Sequence, residues 1–290
     1  MIWILLVLFY GLAKGGREIC KKKALTRNSV IEVLVFYTLV SFLFVTPEIP
    51  KAGGLAGWQY GLIALKSFII FVAWICSFNA IKKLPVSFLG VLDLSRVLFA
   101  TTFGVLFLGE MMTAKSTIGL IFVSAGLLML PIPRIIAAKR NSGAAPAENL
   151  KPVYVIMALI NCILNAISGT MDKYLMGTDM SSGQLQFWYM LFLLSYYIVY
   201  ILVKRIKLDF KSLVKNYWIW ILAILFVLGD RALFIANKDP DSKVTLMTLI
   251  KQSGCLVTII GGKLIFKEKN ITYKLICTCV IIAGIMISVL

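Results

Sequence analysis

The sequence repeats one apolar stretch: GVLDLSRVLFATTFGVLFLGE at residues 90–110 returns as TLIKQSGCLVTIIGGKLIFKE at residues 248–268, and the two align without a gap. Each copy ends in a glutamate, Glu110 or Glu268. A polar turn and a charge-free helix rich in small residues follow each copy, STIGLIFVSAGLLMLP after the first and LICTCVIIAGIMISVL after the second. The pattern predicts an internal repeat.

The whole chain is too apolar for a soluble domain. Of its 290 residues, 60% are hydrophobic and 15% are charged, and the mean hydropathy is +0.92. Apolar runs of about 20 residues, the length that crosses about 30 Å of hydrocarbon, recur from end to end. We therefore predict an all-α membrane protein, in which the first apolar run is a retained helix and not a cleaved signal peptide.

Polar breaks divide the apolar runs into ten predicted transmembrane helices. The longest polar piece, residues 134–151, has the Gly, Pro and charge content of a solvated cytoplasmic linker. It separates residues 1–133 from residues 152–290, so that each half holds five helices. The predicted helices lie at residues 2–20, 30–46, 59–80, 86–108, 115–132, 153–175, 184–203, 217–237, 244–266 and 272–290.

An odd number of helices in each half predicts that the two halves cross the membrane in opposite directions, as inverted repeats. The loop charges agree, because the odd-numbered loops hold 18 of the 30 Lys and Arg residues when Lys274, just beyond the last of them, is included, and the even-numbered loops hold four when Lys115 is included. Basic loops tend to stay in the cytoplasm, which places both termini outside the cell. The net charge of +17 is thus assigned to membrane topology and not to nucleic-acid binding.

A hydrophobic helix that closes in LGE, a short polar turn and a helix with a central AG together resemble the drug/metabolite transporter superfamily, in particular its ten-helix EamA-type members. The pattern occurs twice, and the two halves cover nearly the whole chain. The resemblance implies alternating access around a central cavity, with the fifth and tenth helices at the periphery. These two helices carry no charge, and we expect them to face lipid or to form a homodimer.

Charged residues inside apolar runs are candidate site residues, since each costs about 2.5 to 3.5 kcal/mol on insertion scales unless a partner neutralises it. Counting back from the paired glutamates places Asp93 and Lys251 at equivalent positions of the two repeats. Arg96 lies three residues after Asp93, on the same helical face. We predict that these three residues and Lys66 line the cavity and bind a zwitterionic or anionic metabolite.

Four more residues are assigned to the binding site. Trp74, which follows Lys66 on the third helix, offers an aromatic wall, and Gln252 belongs to a polar stripe beside the lysine of the ninth helix. Asp230 and Arg231 are adjacent on the eighth helix and face different ways. The alternative for all these charges is that they pair among themselves and only hold the helices together.

Other charged residues are given structural roles. Lys14, Arg17 and Glu18 precede three lysines, so we interpret them as interfacial residues at the end of the first helix. Glu110 and Glu268 close their helices at the membrane edge and are interpreted as capping or turn-fixing residues.

Enzyme chemistry is not expected. The chain has no histidine, which removes the usual zinc ligand, the usual proton relay and the Ser-His-Asp and Cys-His arrangements. The six cysteines lie in hydrophobic runs and are interpreted as packing thiols. No phosphate-binding loop is present. We expect no metal and no cofactor, and the expected partners are a small-molecule substrate and the lipid bilayer.

The predicted function is secondary transport of a small polar metabolite, such as an amino acid or a related compound, across a bacterial cytoplasmic membrane, by an exporter or an exchanger. Proton coupling would need a buried carboxylate that can bind a proton, and the candidates are Asp93, Glu32 and Asp172. Two alternatives stay open: an exporter of cationic drugs, and a flippase for a lipid-linked sugar whose phosphate the basic cavity could hold.

Overall fold

The structure is a computed structural model that describes residues 2–109, 111–129, 151–268 and 271–289. Within these ranges the regular secondary structure is helical, with no strand. Glu110 lies outside the described residues, and so does the predicted linker at residues 134–151 except for its last residue.

The first half of the chain forms six described helices. They are α1 (Ile2–Ala24), α2 (Val30–Val45), α3 (Gly57–Lys83), α4 (Val86–Leu92), α5 (Arg96–Leu108) and α6 (Ala114–Met129). Short 3-10 helices follow α2, at Thr46–Lys51, and join α4 to α5, at Asp93–Ser95.

The second half contributes seven described helices. They are α7 (Pro152–Met176), α8 (Ser182–Lys204), α9 (Phe210–Lys215), α10 (Tyr217–Lys238), α11 (Val244–Lys251), α12 (Gly254–Phe266) and α13 (Ile271–Val289).

Seven described segments are long and apolar enough to cross a membrane. They are α2 with its 3-10 extension, α3, α4 with α5, α7, α8, α10, and α11 with α12. Two shorter apolar helices, α6 and α13, add to them, and α1 has an apolar first half and a charged second half. The chain is therefore a multi-pass, all-helical membrane protein, as the composition predicts.

Two spans that the sequence predicts as continuous helices, at residues 86–108 and 244–266, are interrupted in the structure. The first is broken by the 3-10 turn at Asp93–Ser95 and the second by a turn at Gln252 and Ser253. Both breaks fall at residues that form helices less readily than Ala or Leu: Asp93 and Ser95 in the first, and Ser253 with Gly254 in the second. The breaks fall at equivalent positions, since α5 and α12 begin at Arg96 and Gly254, which align in the repeated stretches.

The two interrupted spans also end alike. α5 stops at Leu108 and α12 at Phe266, again an aligned pair. The next residue is left-handed in both, with φ of 65° at Gly109 and 52° at Lys267. Glycine adopts this conformation without strain and lysine does not, so the shared geometry at two different residue types reflects the shared fold of the stretches.

Helix α1 crosses the break between α11 and α12 at very close range. A Cβ atom on Gly11 would lie 3.0 Å from the carbonyl oxygen of Lys251, and one on Gly15 would lie 2.5 Å from that of Gly254. Gly254 in turn meets the backbone of Gly11. The three glycines leave no room for side chains, so α1 is held against the broken span by backbone contact.

The helices α6 and α13 pack against each other at the edge of the molecule. A Cβ atom on Gly126 would lie 3.0 Å from the carbonyl oxygen of Cys277, and one on Gly284 would lie 2.7 Å from that of Gly119. Ile121 and other apolar side chains of the pair are exposed. A homodimer through these helices stays a prediction.

Glu268 fixes the start of α4. Its carboxylate accepts hydrogen bonds from the backbone N–H groups of Val86, at 2.8 Å, and Ser87, at 3.2 Å. The hydroxyl of Ser87 also donates to it, and Lys274 lies 3.7 Å away. The predicted capping role of Glu268 thus applies to α4, a helix of the other half, and not to the helix that precedes it.

Replacing this cap should lower stability. We expect Glu268→Ala to lower the melting temperature of the detergent-purified protein, because losing a helix cap costs about 1 kcal/mol. Lys267→Ala, a change at the exposed neighbouring residue, should have a much smaller effect. Equal melting temperatures for the two variants would show that the cap contributes nothing to stability.

Candidate functional site

A cavity lies between the two halves of the chain. Helices of both halves line it, whereas α6, α9 and α13 contribute none of its described lining residues. Six cations and four carboxylates face it, an excess of two positive charges among the described lining residues. These charged residues are Lys14, Arg17, Glu18, Lys21, Lys66, Asp93, Arg96, Asp172, Asp230 and Lys251.

Asp93, at the break between α4 and α5, is shared by two cations. Arg96 lies 2.7 Å from one of its carboxylate oxygens, and Lys14 of α1 donates to the other. The thiol of Cys162, on α7, lies 4.0 Å from the same carboxylate. One carboxylate therefore ties three helical segments together and leaves one positive charge uncompensated.

Arg17 of α1 pairs with Asp230 of α10 at 3.0 Å. The guanidinium also lies 5.1 Å from the ring centroid of Tyr10 and 5.2 Å from that of Phe226. Aromatic faces attract a cation, so the arginine is held on three sides. This pair joins the first half of the chain to the second.

Lys66 of α3 pairs with Asp172 of α7, with 3.1 Å between its ammonium nitrogen and the carboxylate oxygen. The ammonium also lies 3.5 Å from the ring centroid of Tyr189, on α8. The side chain of Lys66 is 2% exposed and that of Asp172 is 7% exposed. This pair is another bridge between the halves, at the most enclosed part of the cavity.

Lys251 differs from the other cavity cations. It makes no ion pair with any residue that the structure describes. Its ammonium lies 5.6 Å from the ring centroid of Tyr10, within the range of a cation–π contact. At the end of α11, beside the break, it is a buried cation that faces the cavity.

A polar face of α7 forms another part of the wall. Asn161, Asn165 and Ser168 line the cavity together with Asp172. The side-chain amide of Asn165 donates to the backbone oxygen of Asn161 at 2.8 Å and to its side-chain oxygen at 2.7 Å. These residues follow one another at three- and four-residue intervals, so they share one helical face.

The cavity is more exposed toward the end of α1 that carries Glu18. The side chain of Glu18 is 21% exposed and that of Asp93 is 19% exposed, against 2% for Lys66. The cavity is therefore less enclosed on the side on which α1 and α3 end.

On the opposite side of the cavity, the two halves are in contact and close it. Arg231 of α10 pairs with Glu48 of the 3-10 helix at 2.6 Å. Near it, Gln184 donates to the carbonyl oxygen of Gly53 at 2.7 Å, and Trp188 donates to that of Ala52 at 2.8 Å. These contacts hold the segment after α2 against α8 and α10.

The structure brings most of the predicted site residues together. The cavity is lined by Lys66, Trp74, Asp93, Arg96, Asp172, Asp230, Lys251 and Gln252.

Two predicted residues lie elsewhere. Arg231 is in the Glu48 pair, and Glu32 accepts from the backbone N–H of Ser29, at 2.8 Å, as the capping box of α2. Glu32 also accepts from the N–H of Asp209 at 3.4 Å. Neither residue is among the described lining residues of the cavity.

The interfacial interpretation of Lys14, Arg17 and Glu18 is wrong. α1 continues to Ala24 instead of ending near Glu18, and all three side chains line the cavity. The spacing in the sequence does indicate their position. Tyr10, Lys14 and Arg17 recur every three or four residues and so lie on one face of α1. The lysine run after them favoured an early helix end.

An all-helical, multi-pass protein with a charged cavity open to one side has the architecture of a small-molecule transporter. The sequence pattern of the EamA-like transporter family matches residues 1–131. A relative from Sinorhizobium sp, named as an uncharacterized transporter in the cobO 3' region, is 26% identical over 100 residues, which cover 34% of this chain and 71% of the relative. Residues 1–131 are thus similar to EamA-like transporters, which is the resemblance that the repeated motif also indicates.

A solved crystal structure has the same fold. It matches 99% of this chain and 96% of its own, with a TM-score of 0.71 and 11% sequence identity. At this identity the match extends to the architecture alone, and it covers both halves of the chain.

Neutralising one member of the Lys66–Asp172 pair should destabilise the protein more than neutralising both. We expect Asp172→Asn to lower the melting temperature strongly, because a buried cation left alone costs about 3 to 5 kcal/mol. The double variant Lys66→Gln with Asp172→Asn should recover part of the loss.

The control is Asp179→Asn, at an exposed position, which should leave the melting temperature nearly unchanged. A double variant no more stable than Asp172→Asn alone would contradict a direct coupling between the two side chains.

Proposed function

We propose that the protein is a secondary transporter that carries a small polar metabolite, zwitterionic or anionic, across a bacterial cytoplasmic membrane. It works by alternating access between two inverted repeats of five helices, as an exporter or exchanger. The observation that carries the proposal is the charged cavity between the halves, which both interrupted spans help to line.

The packing supports two related repeats. α1 packs against α10 in the way that α7 packs against α3, and α1 meets α11 and α12 as α7 meets α5. α2 and α8 face each other. A pseudo-twofold axis that relates α1 to α7 and α3 to α10 would produce these matching pairs of packed helices. Ten spans result when α1, α6 and α13 cross the membrane with the seven long segments.

The interrupted spans support substrate binding near their breaks. In transporters, helices broken within the membrane place backbone and side-chain groups around a central site. Here Asp93 and Lys251 lie at the two breaks, and Lys66 and Trp74 lie on another wall of the same cavity. We assign substrate binding to these residues with Arg96.

The direction of opening follows from the loop charges. The basic loops place the end of α1 in the cytoplasm, which is the side where the cavity is more exposed. The Glu48–Arg231 pair then lies on the outer side. In this proposal the structure is an inward-facing state, and separating that pair accompanies outward opening.

Accessibility labelling tests the inversion. Single cysteines at Thr26→Cys, in the loop after α1, and at Asp179→Cys, in the loop after α7, are both at exposed positions. In intact cells a membrane-impermeant thiol reagent should label the second and not the first, each in a background without the native cysteines. Labelling of both from the same side would contradict inverted repeats.

Filling the cavity should stop transport without unfolding the protein. Gly169 lines the cavity, and a Cβ atom added there meets nothing within 4 Å. We expect Gly169→Trp to abolish substrate exchange in proteoliposomes because the indole occupies the path.

Gly61→Trp is the matched control, since Gly61 is exposed on α3 and has the same free space. Exchange is followed with a panel of radiolabelled amino acids, dicarboxylates and organic cations, with and without a proton gradient to separate coupling through Asp93 or Asp172 from simple exchange. Undiminished exchange in Gly169→Trp, with wild-type stability, would remove the cavity from the transport path.

A further inference from the structure

The carboxylates of the described cavity lining all have ion-pair partners, whereas the cations are in excess. Each of the four carboxylates that line it has a cation partner among the described residues. The cations exceed the carboxylates by two, because Lys251 makes no described ion pair and Asp93 serves both Lys14 and Arg96. What the cavity can still offer a ligand is therefore positive charge.

Unused hydrogen-bond donors point the same way. Among the buried polar atoms without a hydrogen-bond partner are the side-chain amide nitrogen of Gln252 and the Nε of Arg96. Both residues line the cavity at the two breaks, and Gln252 directly follows Lys251. The carboxylate oxygen of Asp172 is also without a hydrogen bond, but it lies 3.1 Å from the ammonium of Lys66, so its charge is matched.

From this inventory, and resting on the proposed transport function, we infer that the substrate is a small organic dianion. Its charged group is a dicarboxylate or a phosphate monoester, and Lys251 binds it, with donors from Gln252 and Arg96. A buried cation without a partner is costly, and a dianion would neutralise both excess charges.

A zwitterion fits this cavity less well than a dianion. Its ammonium group would need a free carboxylate, and each carboxylate of the described lining already faces a cation. Binding it would break an existing pair or bury a further cation in a positive cavity. A quaternary ammonium ion meets the same obstacle and has no anionic group to compensate.

Thermal-shift and exchange measurements on the purified full chain test the inference. The probes are succinate and glycerol phosphate as dianions, alanine as a zwitterion and tetraethylammonium as a cation. A ligand that binds only the folded protein raises its melting temperature. We expect a shift and exchange with at least one dianion, and neither with alanine or tetraethylammonium.

Variants of Lys251 identify the binding residue. Lys251→Gln should weaken the dianion at least about tenfold, as expected for the loss of a charge-assisted hydrogen bond, and Lys251→Arg should keep most of the affinity. Lys263→Gln is the matched control, because Lys263 is an exposed lysine of α12 that does not line the described cavity. Equal affinity in Lys251→Gln and Lys263→Gln would overturn the assignment.

A second measurement needs no substrate. Asn165→Cys, in a background without native cysteines, places a thiol on the cavity wall. A methanethiosulfonate reagent that carries a sulfonate should react faster than one that carries a trimethylammonium group, and Lys251→Gln should reduce this preference. Equal rates, or a preference for the cationic reagent, would overturn a net positive cavity.

The outcomes separate the two proposals. Exchange of alanine but of neither dianion, abolished by Gly169→Trp, would overturn the dianion inference and leave the transport function standing. No cavity-dependent exchange with a solute of any charge class would overturn the transport function itself, and the dianion substrate with it.

Discussion

Charge inside an apolar solvent is the constraint on which this structure depends. A cation or carboxylate at bilayer depth must find a partner or water, because lipid tails offer neither. Arg17 with Asp230 and Lys66 with Asp172 meet this requirement across the boundary between the halves. The ionic groups therefore do two things at once, since they hold the halves together and keep the space between them polar. A wholly apolar interface would pack without a cavity.

The two bridging pairs have a common arrangement. One joins α1 to α10 and the other joins α3 to α7, contacts that correspond to each other if the halves are related by a twofold axis. In both pairs the cation belongs to the first half and the carboxylate to the second. The backbone arrangement thus repeats while the signs of the charges do not. Such an interface cannot be symmetric in energy, which suits a protein whose two proposed states open to different sides.

Much of the fold could be predicted because apolar length and repeat are properties of the sequence itself. The predicted helix at 30–46 agrees with α2, at Val30–Val45, to within one residue. The breaks at Asp93 and Gln252 could not be placed, since the apolar pattern continues through them. Residues that line the cavity were predicted where a charge stands in an otherwise apolar run, as at Lys66. They were missed where a polar cluster at a helix end had an ordinary explanation, as for Lys14. Ion-pair partners depend on how helices face each other, so the different partners of the adjacent residues Asp230 and Arg231 could be identified only from the structure.

The glycine crossing of α1 with α11 and α12 has a mechanical consequence. Side chains can change rotamer and absorb a shift between two helices, but main-chain atoms in direct contact have no such freedom. Gly11, Gly15 and Gly254 bring main chain against main chain at this crossing, beside the side chains of Ser253 and Val257. A displacement of α1 is therefore transmitted directly to the end of α11. Arg17 and Lys251 then move together, and the spacing between these two positive charges stays constant while their surroundings change.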